Sequence, residues 1–250
     1  MAITIDSLRR GGDPAHVIIG YGPEGVGKTT LFASLPDPVM LQTERGKGKN
    51  DVPSWRINTF AELMQGFEVA VDSGEFRTII LDSLDHAEPL VWAEACRRNG
   101  WSNVEEPGYG KGFIAVDQVW QEIWKYIEGA AYDADMVVAI TAHSQVRTFQ
   151  DPEGAAYDRY EMKLHKRANA FFKEKADMIL FANNDTAVSE VKDGMQKRTV
   201  GRGGQTRSLY AEKRAAFDAK NRHDLPAKVT LAKPFDWAVY ADAFPAEYFN

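Results

Sequence analysis

The stretch GYGPEGVGKTT, Gly20 to Thr30, follows the apolar run HVII and leads into LFASL. It decides the fold. GPEGVGKT matches G-x-x-x-x-G-K-[ST] at every position, and an apolar strand before it and a helix after it are the context that this motif requires. Gly22, Gly25 and Gly27 let the backbone turn its N–H groups inward, with Pro23, Glu24 and Val26 filling the loop. The N-terminus of the following helix adds partial positive charge, so the loop is built to hold phosphate oxygens. Lys28 would reach the outer phosphates, and Thr29, followed by Thr30, would offer a hydroxyl to Mg²⁺. This ion keeps most of its water shell and needs only one or two protein ligands.

Outward from this loop, apolar runs at 15–21, 39–43, 77–82, 136–142 and 177–183 read as strands. Between them, Phe60, Leu63, Met64, Phe67 and Val71 recur at helical spacing, as do Phe113, Val116, Trp120, Ile123, Trp124 and Ile127. Strands alternating with helices predict an α/β fold: a mostly parallel central sheet between two layers of helices. In such sheets the ligand crevice lies at the strands' C-terminal ends. RTIILDS places Asp82 there as the carboxylate for a metal site, with Asp85 and Asp133 as rivals that do not directly end an apolar run. PVMLQTE ends in Glu44, the candidate to orient and polarise water; its alternative reading is a solvated surface residue beside Arg45. MVVAITAHSQ brings Thr141, His143 and Gln145 to the place of a γ-phosphate sensor, although a lone strand-end histidine is also a common structural residue.

The chain has 250 residues, 44% hydrophobic and 26% charged, which suffices for one large domain spanning 1–250. A net charge of −6 argues against coating nucleic acid through the whole surface. A single cysteine, Cys96, excludes an internal disulfide or a thiolate zinc cage. With no apolar leader segment and no run long enough to cross a bilayer, a cytoplasmic location without membrane attachment is expected. Locally the charge reverses: Lys192, Lys197, Arg198, Arg202, Arg207, Lys213, Arg214, Lys220 and Arg222 face only Asp193, Glu212 and Asp218 in the same stretch. Two polar segments, 144–162 and 201–226, resist the strand-helix reading, and the aromatic end PFDWAVYADAFPAEYFN should dock on the body.

GPEGVGKTT, with Pro and Glu after the first glycine, resembles the RecA-type phosphate loop, and the strand ending in Glu44 matches where RecA-like ATPases carry their catalytic glutamate. Taken in order with IILDSLDH, GYGKGF, VVAITAHSQ, KLHKRANAFFKEKADMILFA and AKNRHDLP, residues 14–230 resemble the bacteriophage RecA-like ATPases of single-strand annealing and recombination. The resemblance implies a RecA-like P-loop NTPase core, ATP and Mg²⁺ as cofactors, and single-stranded DNA as partner. It also implies a homo-oligomer with ATP at the protomer interface, working beside a single-strand-binding protein or another replication or recombination partner. Thr29 and Asp82 would hold the metal, Glu44 and Lys28 would serve catalysis, and His143 would sense the outer phosphate. AKNR offers Lys220 and Arg222 as cationic fingers reaching a neighbour's nucleotide.

DNA must then be bound by local features. Phosphates pair with Lys and Arg, and unstacked bases lie on aromatic rings. The 144–175 segment, read as a mobile loop after the sensor strand, carries Arg147, Phe149, Arg159, Lys163, Lys166 and Arg167 for that purpose. The bland alternative is a solvated insertion. Two other functions fit the same phosphate loop: a nucleotide-gated loader with little turnover, and a nucleoside-type phosphotransferase, for which no acceptor pocket or lid is legible.

Overall fold

The computed structural model describes residues 13–46, 50–193 and 196–250, with side chains of 186–205 excepted. Nine strands form the sheet: β1 (Val17–Gly22), β2 (Pro38–Gln42), β3 (Ser54–Arg56), β4 (Thr78–Asp82), β5 (Val137–Phe149), β6 (Tyr157–Met162), β7 (Met178–Asp193), β8 (Gln196–Tyr210) and β9 (Lys228–Thr230). The order is β3-β2-β4-β5-β1-β7-β8-β9, with β6 beside the outer half of β5. All pairings from β3 across to β7 are parallel, whereas β8, β9 and β6 join antiparallel.

Side chains alternate between the faces because a strand has a period of two. Val17, Ile19 and Tyr21 of β1 pack with Leu41, Ile79, Leu81 and Ile140 on one face; Ile18, Met40, Ile80 and Ala139 pack on the other. The first face is covered by α2 (Phe60–Ser73), α3 (Leu84–Asn99), α4 (Lys111–Glu128) and α5 (Lys166–Lys175). The second is covered by the short α1 (Lys28–Phe32) and the 3-10 helix Trp237–Ala243. The result is the three-layer α/β/α sandwich expected, with both helical stripes facing inward as the spacing predicts. α2 starts on a capping box, in which Thr59 Oγ1 accepts from the Glu62 amide and the Glu62 carboxylate from the Thr59 amide.

Pro89 lies inside α3, which begins at Leu84 and is capped by Gly100 with φ 70°. Two expectations change. The 144–175 segment, read as a loop, is regular: β5 continues to Phe149, β6 returns antiparallel to it, and α5 follows. The polar stretch 201–226 opens as the second part of β8, paired along β7 as far as Tyr210. Lys192, Lys197, Arg198 and Arg202 fall outside the residues whose side chains are described.

The aromatic end lies against the body. Trp237, Tyr240, Phe244 and Tyr248 are all buried, the Trp237 indole stacks on Phe32, and its Nε1 donates to Ser34 Oγ at 3.0 Å. Among the described residues no helix is long and apolar enough to cross a membrane.

Candidate nucleotide site

The phosphate loop leaves β1 between its neighbours β5 and β7, so it opens onto the C-terminal ends of β4 and β5. Gly25 and Gly27 take φ of 71° and 107°, values that L side chains rarely adopt. Gly22 is needed for another reason: a methyl group there would stand 2.1 Å from the Ala182 carbonyl oxygen of β7. Lys28 folds back across the loop, its Nζ donating to the carbonyls of Gly22 at 3.0 Å and Pro23 at 2.9 Å. Burial pushes the Lys28 ammonium below its ordinary pKa, against the pull of Asp85, Asp82 and Glu44.

Asp82 ends β4 on the same crevice. Its Oδ2 accepts from Thr29 Oγ1 at 3.0 Å, and its Oδ1 accepts from the fully buried Thr141 Oγ1 at 2.5 Å. The carboxylate of one strand, the hydroxyl after the loop lysine and a hydroxyl of β5 thus meet at one point. Asp133, its rival, belongs to the π-helical turn Gly129–Asp133 after α4. Asp85 serves His143 instead, accepting from the His143 amide and from His143 Nδ1, both at 2.9 Å. Burial alone would raise the Asp85 carboxyl, but the ring and amide hydrogen bonds from His143 outweigh it and hold the group at about 2. The same hydrogen bond raises the His143 imidazole above its usual value, despite partial burial.

Glu44 follows β2 and is positioned by its backbone, since the amides of Thr43 and Glu44 both donate to the Asp82 carbonyl, at 2.8 and 3.2 Å. Its Oε2 lies 3.9 Å from His143 Nε2. Glu24, Gly25, Gly27, Lys28, Thr29, Glu44, Asp82 and His143 line one cleft of about 280 Å³.

Two basic residues approach the phosphate loop without belonging to a nucleotide motif, although Arg207 lies in the basic stretch noted above. Arg207 of β8 donates from Nη1 to the Val26 carbonyl at 3.0 Å, and Lys233 lines the cleft mouth. Both lie far along the chain from the loop and belong to no motif. His86 closes the IILDSLDH block four residues after Asp82, and its Nδ1 lies 3.7 Å from Glu44 Oε2, a contact across strands that the block does not reveal.

Other predicted residues lie elsewhere. Lys220 Nζ donates to the carbonyls of Lys173, Glu174 and Ala176, which makes it the cap of the α5 C-terminus, whereas Arg222 is exposed. Arg159, expected as a DNA contact, is 4% exposed and paired with Asp218, which also holds Lys173. Its guanidinium lies over the half-buried Phe149 ring. Arg167 is exposed but paired with Asp117, Arg147 donates to the Leu164 carbonyl at 2.8 Å, and Lys163 and Lys166 are exposed.

The residues fit a magnesium-bound nucleoside triphosphate. A glycine cradle with positive φ, a buried ammonium and a Thr–Asp pair form the donor set that polyphosphate and Mg²⁺ require. Fold and site together define a P-loop NTPase, a nucleotide-binding ATPase domain. The model of the AAA domain family matches residues 15–223, and the chain belongs to that family. No match to a curated protein was found.

Proposed function

We propose that this ATPase binds single-stranded DNA and couples ATP turnover to annealing and homologous recombination, acting as an oligomer of the phage RecA-like type. The observation that carries this reading is the continuity of β5. The strand that presents Thr141 and His143 to the nucleotide cleft runs without interruption into the hairpin bearing Arg147 and Phe149. Gln145 sits between, donating to the Met162 carbonyl across the hairpin at 3.1 Å. Arg147, Lys163 and Lys166 then supply the cationic groups for a DNA backbone, and Arg159 braces the hairpin from inside.

In the nucleotide cleft, bound Mg²⁺ would offset the charge of the triphosphate. Lys28 and the loop amides hold the phosphates, while Thr29 and Asp82 hold the ion directly or through its waters. Thr141 fixes the Asp82 carboxylate. Glu44 orients a water and accepts its proton, and His143, held by Asp85, stands next to that carboxylate.

The test is the ATPase rate with and without single-stranded DNA, on wild type and on Glu44→Gln. Stimulation by DNA, with Glu44→Gln keeping ATP binding and losing turnover, is expected. A rate indifferent to DNA removes the recombination reading, and a fully active Glu44→Gln removes the assignment of the base.

A further inference from the structure

The first turn of α3 brings His86 next to Glu44 and His143 at the edge of the nucleotide cleft, where no role has been assigned to it. His86 Nδ1 lies 3.7 Å from Glu44 Oε2, which is itself 3.9 Å from His143 Nε2. One donor atom from each of Glu44, His86 and His143 lies within 4.8 Å of the other two. The two imidazoles meet edge to face, with centroids 5.7 Å apart. Behind them Asp85 Oδ2 takes His143 Nδ1 at 2.9 Å, which leaves Nε2 directed toward Glu44. A carboxylate on the second ring nitrogen is the usual partner of a metal-bound histidine, because it fixes the tautomer and raises ligand basicity.

We propose that Glu44, His86 and His143 form a binding site for a divalent transition metal of the zinc class, separate from the Mg²⁺ position at Thr29 and Asp82, with Asp85 as its orienting residue. Two imidazole nitrogens and one carboxylate oxygen suit zinc, cobalt or nickel, whereas Mg²⁺ demands oxygen ligands. Three protein ligands also leave a coordination position for water. Bonds of about 2.0–2.1 Å at tetrahedral angles put neighbouring donors about 3.3 Å apart, so the two Glu44 edges must shorten by roughly half an ångström and the edge between the two imidazole nitrogens, within 4.8 Å, must close with them. The side chains of His86 and Glu44 are 44% and 36% exposed and are free to make that movement. It costs the 2.8 Å contact between His86 Nδ1 and the Ser83 hydroxyl and the 3.3 Å contact of the same atom with Asp85 Oδ2, which then serves His143 alone. Occupancy engages the Glu44 carboxylate and withdraws it from water, so the metal slows turnover while the phosphate loop still binds nucleotide. That consequence rests on the role proposed for Glu44; the site itself does not.

Co²⁺ titrated into the full chain in excess Mg²⁺, followed by its visible d–d absorption, tests the site. One Co²⁺ per chain with the intense bands of four- or five-coordination, displaced by Zn²⁺, is expected. His86→Ala should weaken binding at least tenfold with circular dichroism and basal ATPase unchanged, and Asp85→Asn should weaken it about 10- to 100-fold. A weak six-coordinate spectrum, or affinity indifferent to His86→Ala, overturns the proposal. In the same preparations Zn²⁺ should inhibit the wild-type ATPase and spare His86→Ala, a comparison that discounts metal drawn off by the nucleotide. Co²⁺ bound through His86 with turnover unaffected by Zn²⁺ upholds the site and refutes the assignment of Glu44 as base.

Discussion

Gly25 and Gly27 both hold positive φ, but only Gly27 is overhung by another side chain. A methyl group at Gly25 meets nothing within 4 Å, whereas one at Gly27 lies 2.7 Å from Arg207 Nη1. Gly25→Ala therefore isolates backbone strain, about 1–2 kcal/mol for a left-handed alanine. Gly27→Ala carries at least the same strain, and its φ of 107° lies further from the left-handed minimum. It also drives the guanidinium away from the Val26 carbonyl. Arg207 is flexible and half-exposed, so it moves rather than clashes, and the cost is the hydrogen bond itself, about 1 kcal/mol after allowing for solvent. The expected total for Gly27→Ala is about 2–3 kcal/mol. In an Arg207→Ala background the hydrogen-bond part, roughly 1 kcal/mol, should disappear and leave only the backbone strain, a coupling that a double-mutant cycle in urea denaturation measures directly. MgATP-induced shifts in Tm, recorded on the same variants, report whether the loop still holds phosphate. Gly27→Ala no more costly than Gly25→Ala, or a cycle that shows no coupling between Gly27 and Arg207, would refute this account of the loop.

Two further outcomes are expected. Burial pushes the Glu88 carboxyl up from 4.5 to about 7, although the His165 amide donates to both its oxygens. A raised folded pKa means that the native state binds the proton more tightly. Glu88 thus contributes stability that is fully present below about 4.5 and is lost as pH rises through about 7, up to roughly 3 kcal/mol; Glu88→Gln should flatten the fall in Tm between pH 5 and 8, and an unchanged slope would count against it. Trp237→Ala opens a cavity beside Phe32 and removes the bond to Ser34, so urea denaturation should show a loss of about 3–5 kcal/mol. Because Phe32 ends the helix that follows the phosphate loop, MgATP affinity should fall in the same variant.

Legibility in the sequence follows the range of the interactions. The phosphate loop, the strand ending in Asp82 and the stripes of α2 and α4 are local patterns, set by glycine placement and apolar period, and each stands where its residues place it. The hairpin after His143 is obscured because SQVRTFQDPEGAAYDRYEM carries its strand alternation in polar residues, with the turn at 151–154 hidden among them. Glycines at 201, 203 and 204 likewise suggest a loop, yet they belong to β8. The fate of Arg159 depends on Asp218, and that of Lys220 on the end of α5, partners 59 and 44 residues or more away that no window reveals. In the sequence Asp85 reads only as a rival metal carboxylate, because its true partner, His143, lies 58 residues downstream at the end of another apolar run.

The first turn of α3 acts as a party wall. Asp85 and His86 look toward the nucleotide cleft and also border a second crevice of about 460 Å³, where Glu88, Arg147, Lys163 and His165 gather. Whatever wedges into that crevice and tilts the turn alters how firmly His143 and Glu44 are held. An occupant that changed nucleotide affinity through this turn would, by reciprocity, have its own affinity changed by nucleotide to the same factor.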